Sequence, residues 1–424
     1  MKRILALLAL GILASSFLFA NGAKETSAQK STTLNFLEVL TSPSRTTLLQ
    51  SFISRYEAAN PGVKINLISP PYEQADNKLT VMLSAKSPLD IAEIRDITIK
   101  QFVNNNFLAN LEPDLKAWSD TKTLLPLTLE AARTVNNTAY MIPDYFYIKG
   151  LFVRTDIMKK LGVTQMPTTV AELYALSEKI TNPSANQYGF DFRGKGAAFN
   201  DSDPLIVSDI ANIDPNNLYQ TADGKSIYDN PQFVKSLEDY IQLYKKAVPS
   251  DGVNWGFNDQ INSFVSGITP LLVQDPDTVP LLNQQLKPDQ YTVIPMPVGK
   301  SGKAYLSYGF GGLGIPSYST NKAAAWGFIS WFSAPAQNAE FCKQYGPLPN
   351  STTAFDSNPY FSTGVYKAWA TETSDPAKYQ FVRPPLNSPK YPGWDQVQQQ
   401  YMQSALLGQI SAAQAAEKWA AYWK

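Results

Sequence analysis

The chain has 424 residues, 44% hydrophobic and 17% charged, which is the composition of a globular protein. Lys plus Arg and Asp plus Glu each total 36, so the balance gives no electrostatic reason to bind nucleic acid or an anionic membrane. There is no histidine, which excludes a Ser-His-Asp triad, a Cys-His pair and a two-histidine metal triad, and the single Cys342 excludes an intrachain disulfide.

Met1-Lys2-Arg3 followed by the apolar run Ile4 to Ala20 has the pattern of a secretory signal peptide cleaved after Ala20. No cysteine lies nearby for a lipid anchor. A polar leader is expected from 21 to 33. The rest is too long for one ordinary core and predicts two lobes. Leu34 to Leu40 reads as a strand. Thr41-Ser42-Pro43-Ser44 is turn and capping chemistry, and Arg45 to Asn60 has the spacing of one helical face at Leu48, Leu49, Phe52, Ile53 and Tyr56. Val63 to Ile68 is a second strand, Gln74 to Ser84 a second helix, Leu89 to Ile94 a third strand and Ile99 to Asn105 a third helix. This alternation predicts an α/β fold with a parallel sheet covered on both faces.

The pattern resumes with a strand at Gly150 to Val153, a short helix from Thr155 to Leu161 closed by Gly162, and a helix led by Pro167-Thr168-Thr169. The Asn-, Asp-, Gly- and Pro-rich stretch 182–224 reads mostly as loop. Phe233 to Ala247 is a strongly periodic helix, Ala323 to Phe332 an apolar one, and Trp394 to Trp423 a helical tail broken near Gly408. Cys342 reads as a buried, inert thiol.

Gly309-Phe310-Gly311-Gly312-Leu313-Gly314 matches G-x-G-x-x-G, but Ile315-Pro316 follows where a dinucleotide site needs a helix. An extended segment lined by glycine, approached by a ligand or another backbone, fits better. The sequons at Asn136, Asn200 and Asn350 matter only in a glycosylating pathway. Tyr145, Tyr147, Trp255, Tyr308 and Trp394 fall at expected loop ends, where an aromatic face can pack on a sugar ring while carboxylates and amides hold hydroxyls. Asp96 follows the third strand and precedes a helix, which makes it both an N-cap candidate and a ligand contact at a strand's carboxyl end.

Four stretches in order resemble the extracellular family 1 solute-binding proteins of ABC importers, the family of the maltose-binding protein. They are Phe52 to Val63 with its Asn-Pro-Gly, Leu89 to Leu115, Tyr140 to Leu173, and Gly311 to Pro349. The resemblance implies two discontinuous α/β lobes with a hinge, 34–144 with 311–360 and 145–310 with 361–424. It also implies a periplasmic monomer that closes on a mono- or small oligosaccharide, without cofactor or metal, and docks on permease transmembrane subunits. Carried over by motif, Asp96 falls at a sugar-binding Asp. Tyr147 stands near an acidic contact of maltose-like members. Gly311 and Gly312 sit where backbone approaches ligand, and Trp394 falls at a late stacking Trp. Gln274-Asp275-Pro276-Asp277 stands where a stacking Trp is usual, so Asp275 and Asp277 favour hydroxyl gripping over stacking. Ser42 and Gln74, before or at the start of the first two helices, complete the expected contacts. A binder of polyols or phosphorylated polyols is the alternative within this class. A carbohydrate-active enzyme would need two facing carboxylates, such as Asp96 with Asp275 or Asp277.

Overall fold

The structure is a computed structural model and describes residues 31–386 and 388–424. The expected signal peptide and nearly all of the leader lie outside these residues. In chain order the strands are β1 (Thr32–Leu37), β2 (Val63–Ile68), β3 (Ile91–Arg95), β4 (Met141–Ile148), β5 (Gly150–Val153), β6 (Ile213–Asp214), β7 (Asn217–Thr221), β8 (Leu271–Gln274), β9 (Thr292–Ile294), β10 (Ala304–Gly314), β11 (Leu348–Pro349) and β12 (Tyr379–Val382). Thr32 and Thr33, expected in the leader, already pair with Val63 and Lys64.

The fold is mixed α/β. β1 runs parallel to β2 and β3, as the alternating pattern predicts. β10 joins β3 and β4 by antiparallel pairing, giving the order β11-β4-β10-β3-β1-β2, with β12 parallel to the start of β10. A smaller antiparallel sheet has the order β8-β5-β9, and β6 and β7 form a separate hairpin. The chain passes from the large sheet to the small one between β4 and β5, with Lys149 as the one residue between them. Trp369 clamps this passage: its indole Nε1 donates to the Ile148 carbonyl at 2.8 Å, and a methyl on Gly150 would meet its ring.

The helix Pro43–Ala59 starts where Ser42 caps it, with the Ser42 hydroxyl accepting from the Arg45 N–H and proline at its first position. It buries Leu49, Phe52, Ile53 and Tyr56. Phe52 meets Trp331, Phe332 and Phe341, and Tyr56 meets Phe328, in mostly edge-to-face aromatic contacts. Cys342 is buried in the neighbouring helix with its thiol against the Asp144 carbonyl, and burial pushes its pKa up, as befits an unreactive sulfur.

The stretch 182–224 is more ordered than its composition suggests. It contains the helix Phe199–Val207 and the β6–β7 hairpin. The polar residues Asp201, Ser202 and Asp203 are all buried there, because the helix packs between the helix Pro231–Ala247 and β10. Tertiary contact overrides the loop-forming propensity of Asn, Asp and Pro.

Residues 309–314 are extended within β10, as expected from the missing helix. What comes close to Gly312 is another backbone, since a Cβ would overlap the Ile142 carbonyl. A Cβ on Gly311 would overlap the Tyr145 ring. These two glycines therefore make room for other parts of the protein itself.

Candidate functional site

Side chains alternate along a strand, so Tyr145, Tyr147 and Lys149 share one face of the β4 passage. Tyr145 and Tyr147 lie opposite Gly311 and Gly309 of β10. Gly309 leaves this face open: its missing Cβ would sit 3.7 Å from Asp96 Oδ2 and 3.8 Å from the Tyr147 ring.

Asp96 begins the helix Asp96–Asn104 at the end of β3. Its Oδ1 accepts from the Ile97 N–H at 2.8 Å, and the Phe310 N–H also holds the carboxylate. Burial raises its pKa to about 6, with Arg95 opposing the shift. Arg95 donates to Asp76 Oδ2 at 2.8 Å and lies over the Tyr72 ring. The second oxygen of Asp76, Oδ1, is buried without a partner.

Tyr147 and Tyr345 share a hydroxyl–hydroxyl bond of 2.8 Å. Asp277 acts electrostatically on both phenols. Tyr345 ends the helix Pro335–Tyr345, and Gly346 follows at φ 117°, with no room for a Cβ because the Asp277 backbone is there. Asp277 Oδ1 is buried and unpartnered. Burial, then the neighbouring Asp275, raise the Asp277 pKa to about 7. Lys149 Nζ lies 2.8 Å from Asp201 Oδ1 and 2.9 Å from Asp275 Oδ2. At the rim, Arg383 ties Glu130 (2.5 Å) to Asn216 (3.3 Å), joining the helix Pro126–Ala132 to the β6–β7 hairpin.

From Asp76 through Arg95, Asp96, Tyr147 and Tyr345 to Asp277, Asp275 and Lys149, a string of charged and phenolic groups thus links the large sheet to the small one. Its acceptors and donors are those that hold hydroxyl groups. Among the described residues, no cluster of His, Cys, Asp and Glu suits a metal ion.

The structure brings Asp96, Tyr147, Asp275 and Asp277 together, and the other expected contacts have partners of their own or lie apart from this group. Ser42 is occupied as a helix cap. Gln74 is exposed, and Asp76, half a turn on, makes the inward contact with Arg95. Tyr145 is buried with its hydroxyl on Glu93 and its ring by Arg45. Trp255 donates to Asp251 at 3.1 Å. Tyr308 packs on Phe146, Phe310 and Phe381, with a buried hydroxyl that lacks a partner. Trp394 is 1% exposed, enclosed by Tyr219, Tyr228, Trp419, Tyr422 and Trp423, and donates to the Tyr219 hydroxyl at 2.7 Å. No ring face is left for a ligand.

Trp394→Phe is therefore expected to cost about 1–3 kcal/mol in urea unfolding through the lost bond and ring volume, with solute affinity unchanged. Reduced affinity at unchanged stability would return Trp394 to the site. Asp76, Arg95, Lys149, Asp201 and Tyr345 were not legible as site residues. The one signal was a lysine interrupting the apolar run Phe146 to Val153.

A family model described as bacterial extracellular solute-binding protein matches residues 42–339. A binding protein of Brucella abortus (strain 2308) is 24% identical over 366 residues, 83% of each chain. T. maritima MalE3 bound to maltose superposes with a TM-score of 0.75 at 20% identity, covering 91% of this chain and 97% of its own. A solute-binding protein of an Agrobacterium radiobacter K84 ABC transporter, in complex with ribitol, superposes with a TM-score of 0.73 at 20% identity, covering 92% and 96%.

Proposed function

The chain belongs to the bacterial extracellular solute-binding proteins, and from that membership we propose that it captures a small carbohydrate between two lobes and hands it to an ABC permease. The observation that carries this reading is the polar string between the two sheets, with buried and unpartnered oxygens on both sides, Asp76 Oδ1 and Asp277 Oδ1. A buried acceptor without a partner costs roughly 1–3 kcal/mol. A hydroxylated solute that supplies the missing donors recovers that cost on binding.

The two lobes are those of the sequence reading, 34–144 with 311–360 and 145–310 with 361–424. The separate sheets and the clamped passage at Lys149 support two lobes, with the large sheet itself continuing through Ile148 and starting again at Ala304. With Trp394 buried and acids at 275 and 277, the cleft has less stacking surface and more hydrogen-bonding capacity than a long glucan requires. A mono- or disaccharide fits this better, and polyols form the neighbouring class. The maltose and ribitol held by the two similar structures span that range.

The protein is exported, cleaved after Ala20 and works as a monomer in the periplasm without altering its ligand. The family's extracellular placement supports this, and among the described residues no helix is long and apolar enough to cross a membrane. The test is a thermal-shift panel of D-glucose, maltose, ribitol, D-mannitol and their phosphates on the mature protein. A bound solute raises the melting point in proportion to RT ln(1 + [L]/Kd). A shift with the sugar recovered intact is the expected result. Turnover of any panel compound would instead support a carbohydrate-active enzyme, and no shift at all would sink the carbohydrate reading.

A further inference from the structure

Lys149 is 3% exposed and sits where the chain leaves the large sheet for the small one. Its ammonium donates to Asp275 Oδ2 at 2.9 Å and to Gln274 Oε1 at 3.2 Å, and it pairs with the Asp201 carboxylate at 2.8 Å. Those acceptors are themselves braced. Gln260 Nε2 donates to Asp201 Oδ2 at 3.2 Å, Gln274 Nε2 donates to Gln260 Oε1 at 3.1 Å, and the Asp275 N–H donates to Gln274 Oε1 at 2.8 Å. The ammonium is thus held among these acidic and amide oxygens of the protein itself.

We propose that Lys149 is a positioning residue for solute capture: it neutralises Asp201 and Asp275, holds the 274–277 loop to the passage between the sheets, and so presents Asp277 as the loop's ligand-gripping carboxylate. This rests on the carbohydrate reading above and deepens it.

The charges around Lys149 make the role specific. Asp201 comes from the helix Phe199–Val207, Asp275 and Asp277 from the loop after β8, and Arg193 from the segment before that helix. Asp201 acts electrostatically on Asp191, and Asp277 on Tyr147 of β4. Asp275 raises the Asp277 pKa while Lys149 and Arg193 lower it. Removing the ammonium leaves Asp275 unneutralised two residues from Asp277, so Asp277 holds its proton to higher pH. A protonated carboxyl is the weaker acceptor for a sugar hydroxyl.

The experiment is isothermal titration of full-length mature wild type, Lys149→Met and Lys149→Arg with D-glucose, maltose, ribitol and D-mannitol across about pH 5 to 9. Wild-type affinity should rise through about pH 7, where Asp277 loses its proton. Lys149→Met should bind about tenfold or more weakly near neutral pH, with its affinity curve displaced upward by about one pH unit. Lys149→Arg should bring the curve back. A Lys149→Met curve that is parallel to wild type and undisplaced, whether or not weaker throughout, overturns the positioning role. Wild type that binds none of the four solutes overturns the carbohydrate reading and this proposal with it.

Discussion

Asp277→Ala is expected to weaken solute binding by about ten- to a hundredfold, since a hydrogen bond to a charged group contributes roughly 1.5–3 kcal/mol. The same substitution should leave the unliganded protein as stable as wild type, or more so, above neutral pH. The sign follows from linkage. The Asp277 pKa is raised from 3.8 to about 7 on folding, so the folded state holds the proton more tightly than the unfolded chain. The cost of burying the charge is absent below about pH 4, grows as pH rises towards 7, and is constant above that. Asp277→Ala removes this cost, and its stability should fall less than that of wild type between about pH 4 and 7. Titration calorimetry and urea unfolding at both ends of that range check the two halves. Asp96→Ala should follow the same pattern at lower pH, because burial raises its pKa to about 6. Unchanged affinity in both variants would place the site elsewhere.

Arg45→Met should destabilise the protein by about 3–5 kcal/mol, the usual effect of stripping one partner from a buried ion pair. Arg45 is 3% exposed and bonds Glu38 at 3.1 Å and Glu93 more closely still. Its guanidinium also lies 5.0 Å from the centre of the Tyr345 ring and 5.5 Å from that of Tyr145. Glu93 binds the chain turning out of β1 through the N–H groups of Val39 (2.7 Å) and Leu40 (3.0 Å), and it accepts from the Tyr145 hydroxyl. Without Arg45, two carboxylates remain in a site with no cation bonded to either. The triple variant Arg45→Met, Glu38→Gln, Glu93→Gln should recover much of the loss, because no charge is then left buried. Equal instability of the single and triple variants in urea would show that packing, and not charge, holds this corner together. Because Arg45 packs under Tyr345, which bonds Tyr147, the single variant should also weaken solute binding.

Much of the framework was readable because periodicity is a local property. The first helix, the β2 and β5 strands, the helix led by Pro167-Thr168-Thr169 and the break at Gly408 all follow from residues within a few positions of one another. The helix Phe199–Val207 was hidden because its polar residues are compensated by partners far along the chain, such as Tyr219 for Asp203 and Lys149 for Asp201. Trp394 shows the same limit from the other side. Its position in the resemblance suggested a stacking face, but whether a tryptophan faces a ligand or a core depends on the rings folded around it.

What the sequence by itself determined is the class: a chain with no histidine, strands alternating with helices, and four ordered motifs of a solute-binding family. It also placed Asp96 at a strand end and an acidic pair at 275 and 277. Only the tertiary structure decided which polar groups meet. Asp76 and Arg95, Tyr147 and Tyr345, and Lys149 with Asp201 and Asp275 are separated by between 19 and 198 positions. The energy of a buried polar group is set by the distance to its partner and by the exclusion of water. Neither quantity exists until the two sheets have folded and the chain has passed between them at Lys149.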